Sequence, residues 1–253
     1  MSARFHQLIV LFCAPVVLSF SAADAQQPAP AGTAAAPSPA LTSTVDASKQ
    51  MMADAIKKMN ANDADGALAD LTQALKLNPN STGAYVLRAS IYCQKKQWAL
   101  AEDDFNAARK IAPNNTVLKF NLVEIKFMQK QYDVARPGFA ALTNDPDMGD
   151  FAQYKVFLCD LFGGHEEQAK KELDVFDAAM GNPSYYFANA AWSLVHKNIE
   201  DARGWLVSAS RIYPPQKNAY YAQSLRDLGY LPIPAPGDVV TPPAPSGAST
   251  PSQ

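Results

Sequence analysis

Five alanines recur along the chain at an almost constant interval. Ala67, Ala101, Ala135, Ala169 and Ala202 follow one another at steps of 34, 34, 34 and 33. Four residues after each stands a large apolar side chain: Leu71, Phe105, Phe139, Leu173 and Leu206. Seven after each comes Ala74, Ala108, Leu142, Phe176 or Ala209. Offsets of four and seven share one face of an α-helix. Alanine suits a place where two helices approach too closely for anything larger. Proline closes the units at Pro79, Pro113, Pro146, Pro183 and Pro214, slipping by a residue or two in the third and fourth. It stops the helix and opens a turn.

A second helix precedes each of these. In the second unit it reads "AYVLRASIYCQ", with Tyr85, Ala89 and Tyr92 at helical spacing. The third, fourth and fifth units supply "VLKFNLVEIKFMQ", "DFAQYKVFLCDLF" and "YYFANAAWSLVH". Short breaks separate the paired helices at Lys95-Lys96-Gln97, Gln129-Lys130-Gln131, Gly163-Gly164 and Lys197-Asn198. One helix pair cannot bury both of its faces, so neighbours must stack.

This pattern resembles the tetratricopeptide repeat family, whose units carry W-x2-L-G-x2-Y, then A-x3-F, then A, then P. Tyr85, Arg88, Ala89, Tyr92, Ala101, Phe105, Ala108 and Pro113 occupy those positions in the second unit, and Tyr186, Ala190, Ala202, Leu206, Ala209 and Pro214 in the fifth. The resemblance covers about 45–216 and implies an all-α, right-handed superhelical solenoid of about five repeats. They fall at about 48–81, 82–115, 116–149, 150–182 and 183–216. A capping helix over 217–229, "KNAYYAQSLRDLG", ends at Gly229 and makes eleven helices. Three departures stand out. Unit 1 is degenerate in its first helix, unit 3 has Lys126 for a tyrosine and Pro137 in its second helix, and unit 4 has Phe157 at the small mid-helix position. Pro137 is expected to loosen the start of its helix unless it falls in the first turn, and local spreading is expected at Phe157.

The ends read differently. Arg4, the apolar run "LIVLFCAPVVLSF" and Ala23-Asp24-Ala25 match a secretory signal over 1–25, cleaved after Ala25. The run is too short for a membrane span and Pro15 interrupts it. Cys13, mid-run behind Phe12, does not fit a lipid anchor. Residues 26–44 hold four prolines and no charge, and residues 232–253 hold seven of the chain's 19 prolines. Both bury too little to order themselves, so they are read as a disordered linker and tail around a folded 45–231. The expected location is periplasmic or secreted. A net charge of −2 offers nothing to nucleic acid.

Tests for chemistry mostly fail. His165 in "GGHEEQAKK" is followed four residues later by a packing alanine, so H-E-x-x-H is not met. His196 sits near a helix end, where a cation suits the dipole. Glu102-Asp103-Asp104 and Glu166-Glu167 lie early in second helices, favourable ground for negative charge. Cys93 and Cys159 are two units apart, too far for a disulfide. No phosphate loop, C-x-x-C or G-x-S-x-G occurs. The chain is read as non-catalytic, with no cofactor and no metal. Tyr185, Tyr186, Phe187, Trp192, Trp205, Tyr213, Tyr220 and Tyr221 form an aromatic group that suits a packed terminal cap better than a sugar platform.

The resemblance also implies a concave groove lined by first helices. Carried over, its positions are Val86, Ser90, Cys93 and Gln94, then Phe120, Glu124, Phe127 and Met128. Tyr154, Leu158, Leu161 and Phe162 follow in unit 4, and Phe187, Ala191, Leu194 and Val195 in unit 5. Val86, Phe120, Phe127, Met128, Tyr154, Leu158, Phe162 and Phe187 would give an apolar, aromatic surface for a partner helix or extended peptide. A tightly wound array or a returning tail would instead cover the same residues internally. The function expected is an interaction scaffold of the bacterial envelope. The alternative is a structural protein whose partner is another copy of itself.

Overall fold

A computed structural model describes residues 39–176 and 181–231. The signal reading at 1–25, most of the linker and the tail at 232–253 lie outside them. Among the described residues there are eleven helices and no strand: α1 (Pro39–Asn60), α2 (Ala64–Leu77), α3 (Thr82–Gln94), α4 (Trp98–Ile111), α5 (Thr116–Met128), α6 (Tyr132–Ala140), α7 (Gly149–Gly163), α8 (Glu166–Leu173), α9 (Ser184–Val195), α10 (Ile199–Ile212) and α11 (Pro215–Asp227). The helix count expected from the sequence is met.

The alanine period is the packing period. Ala67, Ala101, Ala135, Ala169 and Ala202 are all 0 % exposed. The residues four and seven further on are buried too, except half-buried Leu206. Asp63, Ser81 and Asn115 cap α2, α3 and α5 by accepting from the N–H groups of Gly66, Ala84 and Leu118.

The turn inside each pair has one construction. Asn62, Lys96, Lys130 and Lys197 lie at φ 59°, 56°, 61° and 61°, and Gly164 at 85°. These left-handed positions recur at the same steps as the packing alanines. The next residue closes the reversal by donating its N–H five residues back: Asp63 to Lys58, Gln97 to Tyr92, Gln131 to Lys126, His165 to Asp160 and Asn198 to Ser193, all between 2.8 and 2.9 Å. This is the Schellman arrangement, usually built on glycine.

Two features differ from the sequence reading. First, α1 begins at Pro39, inside the expected linker 26–44. Proline at the first helical position gives up an N–H that has no partner there anyway, so it starts this helix rather than preventing it. Methionines supply the contact surface that the degenerate first unit lacks: Met51, Met52 and Met59 pack with Ile56 against the Leu71–Leu87–Ile91 core. Second, Pro137 lies well inside α6, which nonetheless runs unbroken from Tyr132 to Ala140. The chain gathers into two compact units, up to Ala169 and from Lys170 onward. The division falls within α8, the shortest described helix. In the first unit each helix from α1 to α6 packs on the next; in the second, α9 packs on α10 and α11.

Unit 3 shows how a departure is absorbed. Its small mid-helix position is Val123. The small residue stands opposite, as Gly138 on α6, where a Cβ would come within 2.5 Å of Val123 Cγ2. The bulk has moved from one helix to its partner, and close approach is kept.

Candidate partner-binding surfaces

The eight groove residues do not form an open apolar surface. Val86, Phe120, Phe127, Tyr154, Leu158 and Phe187 are buried; Met128 and Phe162 are half-buried. This corrects the open form of the groove expectation, and the cause is aromatic reach. Phe120 stacks on Phe151 of α7 (5.3 Å between ring centroids) and tilts against Phe139 of α6 (5.0 Å). Phe127 meets Tyr132 and Phe139 edge-on, Tyr154 stacks with Phe151, and Phe162 leans on Tyr132. Phe187 belongs to the second unit, where it stacks on Tyr221 at 5.7 Å.

A charge sits within this apolar interior. Lys155 Nζ lies 2.6 Å from Glu124 Oε1, both side chains being buried, and 4.0 Å from the Phe127 ring centroid. Glu124 is a groove position, so an ion pair joins α5 to α7 where a ligand surface is expected. Sequence reading passes over Lys155. Its equivalents in the second, third and fifth repeats are Leu87, Asn121 and Ala188, all buried, and a lysine in such a column is the available signal.

The other residues singled out have structural settings. Arg88 spans α3 and α4 by a two-bond contact with Asp104, at 2.8 and 2.7 Å. Arg136 meets Asp160 at 2.7 Å. His165 stands half exposed, 3.6 Å from Asp133 and from Asp160. His196 stacks on Trp192. Tyr185, Tyr186, Trp205 and Tyr213 meet edge to face in the second unit, the packing expected of a cap. Cys93 is half-buried and Cys159 buried, both as thiols. Burial pushes Cys159 up to about 12. Among the described residues no cluster of histidine, cysteine and carboxylates could hold a metal, and no helix is long and apolar enough to cross a membrane.

An open concavity lies on a different face of α5. One helical stripe from each of three consecutive helices lines a cleft of about 400 Å³: Glu102, Asn106 and Arg109 of α4; Lys119, Leu122, Val123 and Lys126 of α5; Val134 and Gly138 of α6, with Ala141 and Leu142 just beyond. Lys126 bridges to Glu102 at 2.8 Å across one end. Sequence reading does not find it.

No protein-family model matches the sequence, and no curated protein matches it. Solved structures do. PilW, described as a widely conserved type IV pilus biogenesis factor, superposes with a TM-score of 0.52 over 73 % of this chain and 87 % of its own, at 20 % identity. The pilF protein of Pseudomonas aeruginosa gives 0.53 over 78 % and 95 %, at 16 % identity. YrrB, described as a TPR protein with an unusual peptide-binding site, gives 0.45 over 74 % and 96 %, at 20 % identity. PilW and pilF share the fold, and the helix pairs, repeat length and buried alanines of this chain are those of the tetratricopeptide pattern. The chain has a tetratricopeptide-repeat fold. Within that fold its departures become specific. The tetratricopeptide mid-helix small residue is exchanged across a pair at Val123 and Gly138, and the groove positions Phe120, Glu124, Phe127 and Tyr154 of the third and fourth repeats are buried among aromatic rings and the Lys155–Glu124 pair.

Proposed function

We propose that the protein is a non-catalytic interaction scaffold of the bacterial cell envelope, exported by the signal segment 1–25, which holds a protein or peptide partner on its tetratricopeptide units. The array itself carries this reading. Its repeated positions are used in stacking one helix pair on the next, which leaves outer helix faces free to vary and to be recognised. The shared fold with a pilus biogenesis factor supports a role in assembling an envelope structure. Fold alone does not choose the partner.

The test is expression of the full chain in a bacterial host, followed by mass measurement of the processed protein and cross-linked capture from the envelope fraction. Cleavage after Ala25 and a discrete cross-linked partner are expected. An unprocessed cytoplasmic protein would remove the envelope assignment. Capture of other copies alone, with concentration-dependent mass in sedimentation, would replace the scaffold by a self-associating structural protein.

A further inference from the structure

We propose that the cleft between α4 and α6 is a docking site for an acidic amphipathic helix of a partner protein. This rests on the scaffold reading and deepens it by assigning a place and a chemistry.

Part of the cleft lining is apolar: Leu122, Val123 and Leu142 line it together with Val134 of α6, which is 60 % exposed. An apolar side chain this open, beside a concavity, leaves surface that a partner would remove from water. Gly138 lets α6 lie against α5 and contributes no side chain to fill the cleft.

The charge pattern selects the occupant. Arg109 and Lys119 are exposed, line the cleft beside the α4–α5 turn and make no ion pair among the described residues. At the other end Lys126 is already neutralised by Glu102. The cleft therefore carries two uncompensated positive charges in a chain whose net charge is −2. Carboxylates answer that pattern, and apolar side chains answer the apolar lining.

The walls select the shape. All three are helices, so no strand edge is offered for an extended peptide to pair with. From Lys119 to Lys126 the α5 stripe runs roughly 10 Å, about two helical turns. A helix laid along it would place apolar residues three or four apart on Val123 and Val134, and carboxylates one turn further on, at Arg109 and Lys119.

The experiment uses the full chain and a fluorescently labelled helical peptide of about four turns. One face of the peptide carries leucines with glutamates one turn away; a control replaces every glutamate by glutamine. Anisotropy should show the glutamate form binding about tenfold more tightly at low salt, with the difference shrinking as salt rises. Arg109→Glu with Lys119→Glu should abolish that preference, and Val134→Glu should abolish binding. Unchanged helicity and melting would show both variants to be folded. Equal binding of the two peptides, binding of neither, or indifference to the charge reversal would overturn the proposal. So would self-association of the parent that Val134→Glu removes, because the occupant would then be a second copy. If the charge-reversed protein still captures the envelope partner, the cleft assignment fails and the scaffold reading stands. If the parent captures none, the scaffold reading itself fails.

Discussion

Lys155 of α7 and Glu124 of α5 meet inside the first unit at 2.6 Å, their side chains 0 % and 8 % exposed. Two charges withdrawn from water at one point tie the third repeat to the fourth. Lys155→Met leaves the carboxylate buried without its ammonium and should destabilise the protein by about 3–5 kcal/mol. Adding Glu124→Leu should recover most of that loss. Denaturant titration of both single variants and the double variant gives the coupling directly. An additive pair of losses would show that the two charges act separately.

Phe120 sits between Phe139 and Phe151, buried, at a position where tetratricopeptide arrays have a groove. Phe120→Ala should cost about 3–5 kcal/mol. A residue on an open binding face would lose less than about 1 kcal/mol, so thermal unfolding of this one variant separates core from surface.

The left-handed turns make predictions of opposite sign. Lysine in that backbone region is strained where glycine is not. Lys130→Gly should stabilise the protein by about 0.5 kcal/mol, the strain relieved being partly offset by the freer unfolded chain. Gly164→Ala should destabilise it by about 1 kcal/mol. Paired melting curves check both.

How much of this is legible in the letters can be traced residue by residue. Packing alanines are visible because a close helix crossing excludes almost every other side chain, and all five are buried. Turn positions are visible as polar breaks, though not their hand, since lysine announces no positive φ. Pro39 misleads because proline at a helix start and proline in a linker look alike without neighbours. The closed groove is hidden for another reason. Periodicity fixes which face a residue shares but not how near the next helix comes, so Phe120 and Tyr154 can be placed on a face and not known to be covered. The α4–α6 cleft depends on three stripes converging, and its one local sign is Gly138 opposite Val123.

Cys159 offers a chemical check on that interior. With its thiol pushed up to about 12 by burial, only about one part in ten thousand is thiolate at pH 8. A thiol reagent at that pH should modify half-buried Cys93 in the native protein and leave Cys159 untouched until denaturant is added. Because the group is raised, moving from pH 7 to pH 9 should not open it. Rapid native labelling of Cys159, read by peptide mass, would show that this part of α7 is loosely packed.

The matched turns have a consequence for the length of the protein. Lys96-Gln97 and Lys130-Gln131 are the same two letters in the same backbone hand, one full period apart. Cutting out the stretch 97–130 and rejoining the ends would regenerate the junction it removed, with no new bend for the chain to learn. Such joints let a gene lose or gain whole modules by recombination, so that size changes in steps of one helix pair while every surviving seam keeps its fit.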